Sequence, residues 1–205
     1  MKIAFIGIGL MGRPMVSCLL NAGFEMLLWN RSPEKTNIFA DRATISNTPA
    51  DAISQADIII TMLENGQVVD EVVFQSEAFK AIKAGAIFID MSSIPPSLAR
   101  THTKLIESQN AAYLDAPVSG GTVGAEQAAL SVMVGGKKCH FDQVLSVFST
   151  LGKATYIGEV GCGQLCKLAN QAIVGITIGA VSEALLLASE GGADPEAVRE
   201  ALSGG

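Results

Sequence analysis

Gly7-Ile8-Gly9-Leu10-Met11-Gly12 is a GxGxxG pattern between the apolar run Lys2–Ile6 and a helical pattern. Gly7 permits a tight turn, Gly9 lets a pyrophosphate approach the backbone, and Gly12 permits close packing of the helix on the strand. The N–H groups at the helix N-terminus attract the negative charge of the phosphates. The pattern predicts a dinucleotide site with contacts at Gly7, Gly9, Leu10, Met11 and Gly12.

Around this loop, the first 157 residues alternate short β-rich runs with helical patterns. Runs such as Ile58-Ile59-Ile60 are continuously apolar, as is typical of strands that helices cover on both faces. We therefore predict an α/β fold with a Rossmann-type, mostly parallel sheet. The predicted strands are Lys2–Ile6, Glu25–Trp29, Asp57–Thr61, Ala86–Asp90, Ala112–Asp115, Ser131–Gly135 and Ala154–Ile157. The predicted helices are Leu10–Ala22, Pro33–Ala40, Pro49–Gln55, Gln67–Phe74, Pro96–Ser108 and Lys138–Leu151.

The alternation ends after Gly158, where a glycine-rich bend leads into a long apolar helical stretch. We place a domain boundary here: residues 1–161 form the NADP-binding Rossmann domain, and residues 162–205 begin an all-α C-terminal domain with an interdomain helix at about 164–190. About forty residues with one apolar helix cannot bury their own surface, so we expect a truncated domain or a partner subunit over the helix. The apolar surface from Ile173 to Leu187 favours a homo-oligomer formed through this helix.

Composition argues against several classes of protein. A net charge of −6 without a basic stripe argues against nucleic-acid binding. The stretch Leu168–Ala188 is long enough to span a bilayer, but four polar residues interrupt it, so we interpret it as a buried helix and expect no membrane partner. The four cysteines show no CxxC spacing and no histidine completes a zinc pattern. We expect reduced cysteines, no metal site and a cytoplasmic location.

The residues after the second predicted strand indicate which dinucleotide is bound. NAD sites place an Asp or Glu there to accept hydrogen bonds from the ribose 2′-hydroxyl. This chain has Asn30-Arg31-Ser32 instead. A carboxylate would repel a 2′-phosphate, whereas an amide, a guanidinium and a hydroxyl can hold one. The stretch favours NADP (NADPH) over NAD. The alternative is a solvated Arg31 in an enzyme that accepts both cofactors.

Two further loops follow strand ends, where ligands bind in open α/β sheets. They are Thr61-Met62-Leu63 and Asp90-Met91-Ser92-Ser93. We expect Leu63, with Met62 beside it, near the adenosine side of the dinucleotide and Ser93 near the nicotinamide. Taken alone, these are ordinary loop residues.

A candidate substrate loop, Asp115-Ala116-Pro117-Val118-Ser119-Gly120-Gly121, follows another predicted strand. Ser119 offers a hydroxyl, while Gly120 and Gly121 offer N–H groups that no side chain obstructs. Such a loop can cradle a carboxylate. A simple turn into the next helix is the alternative.

A polar face on the long apolar helix contains Lys167, Asn170 and Gln171, which are spaced for one side of a helix. Polar groups in an apolar setting need partners, and a ligand can provide them. Desolvation lowers the pKa of a half-buried lysine, so Lys167 is a candidate donor of a proton to an alkoxide formed by hydride transfer. Asn170 would orient the lysine or the substrate oxygen. A lysine that reaches solvent at the helix start is the alternative.

Three blocks in this order resemble the β-hydroxyacid dehydrogenases: Gly7–Gly12, Asp115–Gly121, and Gly161-x-Gly163-x3-Lys167-x2-Asn170. The family includes 3-hydroxyisobutyrate dehydrogenase, tartronate semialdehyde reductase, glyoxylate/succinic semialdehyde reductase and, more distantly, 6-phosphogluconate dehydrogenase. The resemblance implies catalytic Lys167 and Asn170, substrate contacts at Ser119, Gly120, Gly121 and Asn170, and cofactor contacts at Leu63 and Ser93.

Cues to the substrate diverge within that family. Asn170-Gln171 and Ser182–Leu185 resemble tartronate semialdehyde reductases, whereas Trp29–Ser32 resembles NADPH-using glyoxylate/succinic semialdehyde reductases. The resemblance implies an NADP-dependent oxidoreductase that reduces a small semialdehyde with a carboxylate to its 3-hydroxyacid. A glyoxylate/succinic semialdehyde reductase, a 3-hydroxyisobutyrate dehydrogenase, an imine reductase and a non-catalytic dinucleotide-binding module are the alternatives. The chain departs from the family at Glu64, where a proline is common, and ends at Gly204-Gly205, where family members continue.

Overall fold

The computed structural model describes residues 1–203. The chain divides into two compact units, Met1–Lys167 and Leu168–Gly205. The pair Gly204-Gly205, on which the expectation of a truncated domain depends, lies outside the described residues. The boundary expected between residues 161 and 162 stays a prediction.

One mixed sheet forms the centre of the first unit. Its strands are β1 (Lys2–Ile6), β2 (Glu25–Trp29), β3 (Thr44–Ile45), β4 (Ile58–Thr61), β5 (Ile87–Asp90), β6 (Ala112–Asp115), β7 (Val118–Ser119), β8 (Leu130–Gly136) and β9 (Gly152–Gly158). Across residues 1–203 the strand order is β3-β2-β1-β4-β5-β6-β8-β7, and β9 pairs with β8. The first six strands pair in parallel. Strand β8 runs antiparallel to β6 and β7 but parallel to β9. The predicted Rossmann-type, mostly parallel sheet is confirmed.

Successive side chains of the central strands enter two apolar cores, one on each face of the sheet. In β1, Ile3 and Phe5 belong to one core, and Ala4 and Ile6 belong to the other. All four are fully buried. Alternating side chains point to opposite faces of a strand, so a strand covered on both faces must be apolar throughout. This is why the continuous apolar runs predicted the parallel strands correctly.

The helix predicted over Pro96–Ser108 has its predicted bounds, and the other predicted helices of the first unit are present but differ in extent. The helices of this unit are α1 (Gly12–Asn21), α2 (Glu34–Asn37), α3 (Pro49–Ile53), α4 (Gly66–Val69), α5 (Glu77–Lys80), α6 (Pro96–Ser108), α7 (Gly121–Glu126), α8 (Lys138–Gln143) and α9 (Leu145–Leu151). Helix α4 continues into a π-helical turn, Asp70–Phe74. The single helix predicted over Lys138–Leu151 is wrong, because Val144 leaves helical geometry (φ −109°, ψ 12°) and separates α8 from α9. The short elements β3, β7, α5 and α7 were not predicted.

The remaining elements are α10 (Cys162–Glu190), which runs from the first unit into the second, and α11 (Pro195–Ser203). Apolar side chains of α10 are exposed: Ile173 to 66%, Ile176 to 73% and Leu187 to 76%. The interpretation of this stretch as a buried helix is therefore wrong for the described residues. By length and composition alone, α10 would also qualify as a membrane-spanning helix, a test that core helices of soluble proteins pass as well.

Candidate active site

The glycine loop has the geometry of a phosphate cradle. Gly7 adopts φ +105°, and a Cβ there would lie 2.4 Å from the carbonyl oxygen of Met62. A Cβ on Gly12 would lie 2.1 Å from the carbonyl oxygen of Gly7, whereas a Cβ on Gly9 would have no atom within 4 Å. Gly7 and Gly12 are thus required by packing, and Gly9 faces open space. A backbone open at the middle glycine fits the approach of a pyrophosphate.

Asn30 braces this loop from the end of β2. Its side-chain oxygen accepts a hydrogen bond from the Ile8 N–H at 2.8 Å, and its side-chain nitrogen donates to the Ser32 carbonyl oxygen at 3.0 Å. The sequence predicts a contact between the Asn30 amide and the cofactor. In the structure both ends of this amide have partners within the chain, so its first role is to hold the loop in place. A direct contact with the dinucleotide stays a prediction.

A cavity of about 330 Å³ adjoins the loop, and residues from three strand ends line it. Arg31 and Ser32 come from the end of β2, and Leu63 comes from the end of β4. Lys35 also lines the cavity and was missed, although its position three residues after Ser32 was a usable signal. A guanidinium, an ammonium and a hydroxyl beside an open glycine fit the phosphates of a dinucleotide.

The loops after β4 and β5 are tied together by buried hydrogen bonds. The Asp90 carboxylate, which has no solvent exposure, accepts from the Thr61 hydroxyl and from the Ser92 N–H, both at 2.9 Å. The Ser92 hydroxyl in turn accepts from the Leu63 N–H at 3.0 Å. Burial raises the pKa of Asp90 above its ordinary value. The predicted cofactor contact Ser93 is their exposed neighbour, whereas Asp90 and Ser92, which fix the loops, were not predicted as site residues.

The candidate substrate loop is more ordered than the sequence suggested. Val118 and Ser119 form β7 and pair with Val132 and Ser131 of β8. Gly120 (φ +133°) and Gly121 (φ +63°) then turn the chain into α7. Two consecutive glycines in this region favour a turn whose N–H groups are free of flanking side chains. Ser119 is half-buried, and both glycines are exposed.

The start of α10 is fixed to the sheet by a buried carboxylate. Asp115, at the end of β6, accepts hydrogen bonds from the N–H groups of Gly161 at 2.8 Å and Gln164 at 2.9 Å. A Cβ on Gly163 would lie 2.4 Å from the Met133 carbonyl oxygen, so glycine lets the helix approach the sheet this closely. Burial raises the pKa of Asp115 to about 6 despite these hydrogen bonds. Because it accepts these two backbone hydrogen bonds, the Asp115 carboxylate acts as an N-terminal cap for α10.

Lys167 lies one turn beyond this anchored segment. Its side chain is half-buried, and desolvation lowers the pKa of its ammonium group below the ordinary value. A lysine whose pKa is lowered gives up its proton more readily than an ordinary lysine, as a proton donor requires. Asn170 belongs to the second unit, where it is half-buried. The catalytic assignments of Lys167 and Asn170 stay predictions.

Comparison with known proteins places these features in a family. Residues 2–161 match the NAD binding domain of 6-phosphogluconate dehydrogenase, and residues 161–205 match the NAD-binding region of NADP-dependent 3-hydroxyisobutyrate dehydrogenase. The chain is 42% identical over 207 residues to a 2-hydroxy-3-oxopropionate reductase of Escherichia coli, covering 100% of this chain and 71% of that protein.

Solved structures show the same architecture. The chain is similar to Mycobacterium tuberculosis 3-hydroxyisobutyrate dehydrogenase with L-serine, with a TM-score of 0.91, 32% identity, and coverage of 100% of this chain and 70% of that one. An imine reductase from Myxococcus stipitatus in complex with NADP⁺ has a TM-score of 0.90 at 22% identity, over 99% of this chain and 71% of its own. The second likeness shows the fold alone. This chain belongs to the β-hydroxyacid dehydrogenase family and is an NAD(P)-dependent oxidoreductase.

Proposed function

We propose that this protein is an NADP-dependent reductase that converts a small semialdehyde bearing a carboxylate, such as tartronate semialdehyde, into its 3-hydroxyacid. The observation that carries the proposal is the placement of Lys167. This half-buried ammonium lies one turn beyond a helix start that hydrogen bonds tie to Asp115 and to the loop after β5.

Each residue of the site has a defined part in this reaction. The nicotinamide cofactor, when bound, supplies the hydride that reduces the carbonyl carbon. Lys167 donates the proton that neutralises the developing alkoxide, and its lowered pKa makes that donation easier near neutral pH. Ser119, Gly120 and Gly121 bind the substrate carboxylate, and Asn170 orients the lysine or the carbonyl oxygen.

The preference for NADP rests on the end of β2. No carboxylate stands at positions 30–32, and Arg31, Ser32 and Lys35 line the adjoining cavity. Glu64 and Glu71 line the same cavity and would weaken, without removing, the attraction for a 2′-phosphate. We therefore expect NADPH to be preferred to NADH rather than used exclusively.

Two relatives support the substrate class. The Escherichia coli relative is named for 2-hydroxy-3-oxopropionate, which is tartronate semialdehyde, and the Mycobacterium tuberculosis structure contains L-serine. Both molecules pair a carboxylate with an oxygen on the third carbon. Glyoxylate/succinic semialdehyde reductase and 3-hydroxyisobutyrate dehydrogenase activities remain the alternatives within the family. An imine reductase is disfavoured, because a lysine at position 167 supplies a proton donor suited to an alkoxide.

A steady-state panel tests the proposal. NADPH and NADH are each combined with tartronate, succinic and methylmalonate semialdehydes and with glyoxylate. We expect the highest kcat/KM with NADPH and tartronate semialdehyde. Highest turnover with another semialdehyde would move the protein to that alternative. Cofactor binding without turnover would indicate a binding module, and turnover only with amine–aldehyde mixtures would indicate an imine reductase.

We further propose a homo-oligomer formed through α10 and a cytoplasmic location. The exposed apolar residues of α10, including Ile173 and Ile176, support the first proposal. The four free cysteines fit the second. Sedimentation velocity tests the oligomer, and a strictly monomeric profile would contradict it.

A further inference from the structure

We propose that Gln164 is a positioning residue that sets Lys167 in register with the loops expected to hold the cofactor. The inference rests on the proposed function, because it assigns Lys167 as the proton donor. Gln164 itself is not expected to touch substrate or cofactor.

Gln164 is held by hydrogen bonds at three points. Its side chain is 1% exposed. The amide nitrogen donates to the Ser92 carbonyl oxygen at 2.8 Å, and the amide oxygen accepts from the Ile94 N–H at 3.2 Å. Its backbone N–H donates to Asp115 at 2.9 Å. A buried amide with both ends satisfied by backbone fixes the position of its helix turn, because any displacement breaks hydrogen bonds that water cannot replace.

Ser92, the partner of that amide, also organises the cofactor loops. Its N–H donates to Asp90, and its hydroxyl accepts from the Leu63 N–H. One residue therefore connects the loop after β4, the loop after β5 and the first turn of α10. Both predicted cofactor contacts lie beside Ser92. Leu63 donates its backbone N–H to the Ser92 hydroxyl, and Ser93 follows Ser92 in the sequence.

Lys167 follows Gln164 by three residues, which is about 4.5 Å along an α-helix. A displacement of the first turn of α10 therefore displaces Lys167 by a similar distance. Misplacement of a reacting group by about 1 Å can reduce turnover about 100-fold. Because Ser92 hydrogen-bonds both Gln164 and Leu63, one buried residue positions both the helix turn before Lys167 and the loops expected to hold the cofactor.

Substitution at position 164 separates shape from hydrogen bonding. Gln164→Met keeps the volume but loses both side-chain hydrogen bonds. Gln164→Glu keeps the shape, but its carboxylate would face the Ser92 carbonyl oxygen. The charged groups around it would be Asp115, Asp90 on the far side of Ser92, and the Arg100 guanidinium beside Gly161. When protonated, that carboxyl can donate to Ser92 and accept from Ile94 as the amide does. The Glu variant should therefore regain function as the pH falls.

The experiment compares Gln164→Met and Gln164→Glu with wild type and with Gln143→Met, a control at an exposed glutamine of α8. We expect Gln164→Met to lower kcat about 100-fold with a much smaller change in KM, and Gln143→Met to change neither. The kcat of Gln164→Glu relative to wild type should rise several-fold between about pH 8 and about pH 5.5, as a buried carboxyl titrates. Because the restored hydrogen bonds would also stabilise the fold, kcat is compared at a temperature where circular dichroism shows every variant to be fully folded at both pH values, so that a purely structural role would leave kcat unchanged.

A second readout needs neither cofactor nor turnover. Lysine amines are reductively ¹³C-methylated and titrated by NMR, with the Lys167 signal assigned by its loss in Lys167→Arg. We expect its midpoint to lie below the ordinary lysine value in wild type and to move towards that value in Gln164→Met. An unchanged midpoint, together with a kcat like that of Gln143→Met, would overturn the positioning role.

Failure of the proposed function gives a different result. If Lys167→Ala keeps full turnover, the lysine is not the proton donor, whatever Gln164 does. A different outcome would contradict only the role of Gln164. In that outcome Lys167→Ala is inactive, Gln164→Met has the same kcat as Gln143→Met, and the kcat of Gln164→Glu does not rise at low pH.

Discussion

The Asp115 carboxylate accepts a hydrogen bond from the backbone N–H of Gln164 across 2.9 Å and 49 residues of sequence. The same carboxylate accepts from the Gly161 N–H, and Asp115 lies four residues before Ser119 of the candidate substrate loop. One buried acid thus holds the start of the helix that carries Lys167 and begins the segment that leads to Ser119. This pairing explains why an aspartate stands at the end of β6.

We predict that Asp115 makes stability depend on pH. Its pKa is raised from 3.8 to about 6. Because the folded state holds this proton more tightly than the unfolded state, the resulting stabilisation is present below about pH 4 and is lost as the pH rises through about 6. Asp115→Asn removes this titration, and Asp90 is common to both proteins. The free energy of unfolding of wild type relative to Asp115→Asn should therefore fall by about 2.5 kcal/mol from pH ~4 to pH ~8. Urea unfolding at several pH values measures it, and parallel stability curves would contradict it.

Alanine substitutions at two positions of the glycine loop should affect different properties: fold stability at Gly12 and NADPH binding at Gly9. A Cβ on Gly12 would meet the Gly7 carbonyl oxygen at 2.1 Å, so Gly12→Ala should destabilise the fold by about 1–3 kcal/mol. A Cβ on Gly9 meets nothing within 4 Å, so Gly9→Ala should leave the fold stable but weaken NADPH binding by about tenfold or more. Thermal unfolding and NADPH fluorescence titration separate the two effects. Wild-type NADPH affinity in Gly9→Ala would place the pyrophosphate elsewhere.

Arg31 is expected to decide between the two dinucleotides. Arg31 and Gly9 line the same cavity, and a charge-assisted hydrogen bond to a 2′-phosphate contributes about 1.5–3 kcal/mol. Arg31→Ala should raise KM for NADPH by about 10- to 100-fold and leave KM for NADH nearly unchanged. Initial rates with both cofactors measure this, and Arg42→Ala, at an exposed arginine that pairs with Asn21, is the control. An equal rise in both KM values would show that Arg31 does not read the 2′ position.

Apolar patterns in the sequence predicted most strands of the first unit, because these patterns are strong in buried strands. The strands β1, β2 and β6 were predicted with their observed bounds, since buried strands are apolar throughout and glycine or proline marks many of their ends. Strands β3 and β7, with two residues each, are too short to leave a periodic pattern. The break at Val144 is also invisible, because an apolar residue within an apolar helical pattern gives no local sign of non-helical geometry.

The long-range bonds of the site were beyond sequence reasoning for a different reason. Asp115 and Gln164 are 49 residues apart, and Gln164 and Ser92 are 72 apart, so no spacing rule connects them. Asp115 was predicted only as the first residue of the substrate loop, and no role was predicted for Gln164. The glycines at 161 and 163 were the available signal: they indicated a close approach of this segment to another part of the chain.

The role of Lys167 as the proton donor is tested by the turnover of Lys167→Ala with NADPH and tartronate semialdehyde, measured beside Lys104→Ala, a control at an exposed lysine of α6. Loss of a general acid costs about 100- to 10,000-fold in rate, so kcat of Lys167→Ala should fall within that range while NADPH affinity and stability stay near wild type. Lys104→Ala should match wild type. Wild-type kcat in Lys167→Ala would contradict the assignment of this lysine as the proton donor.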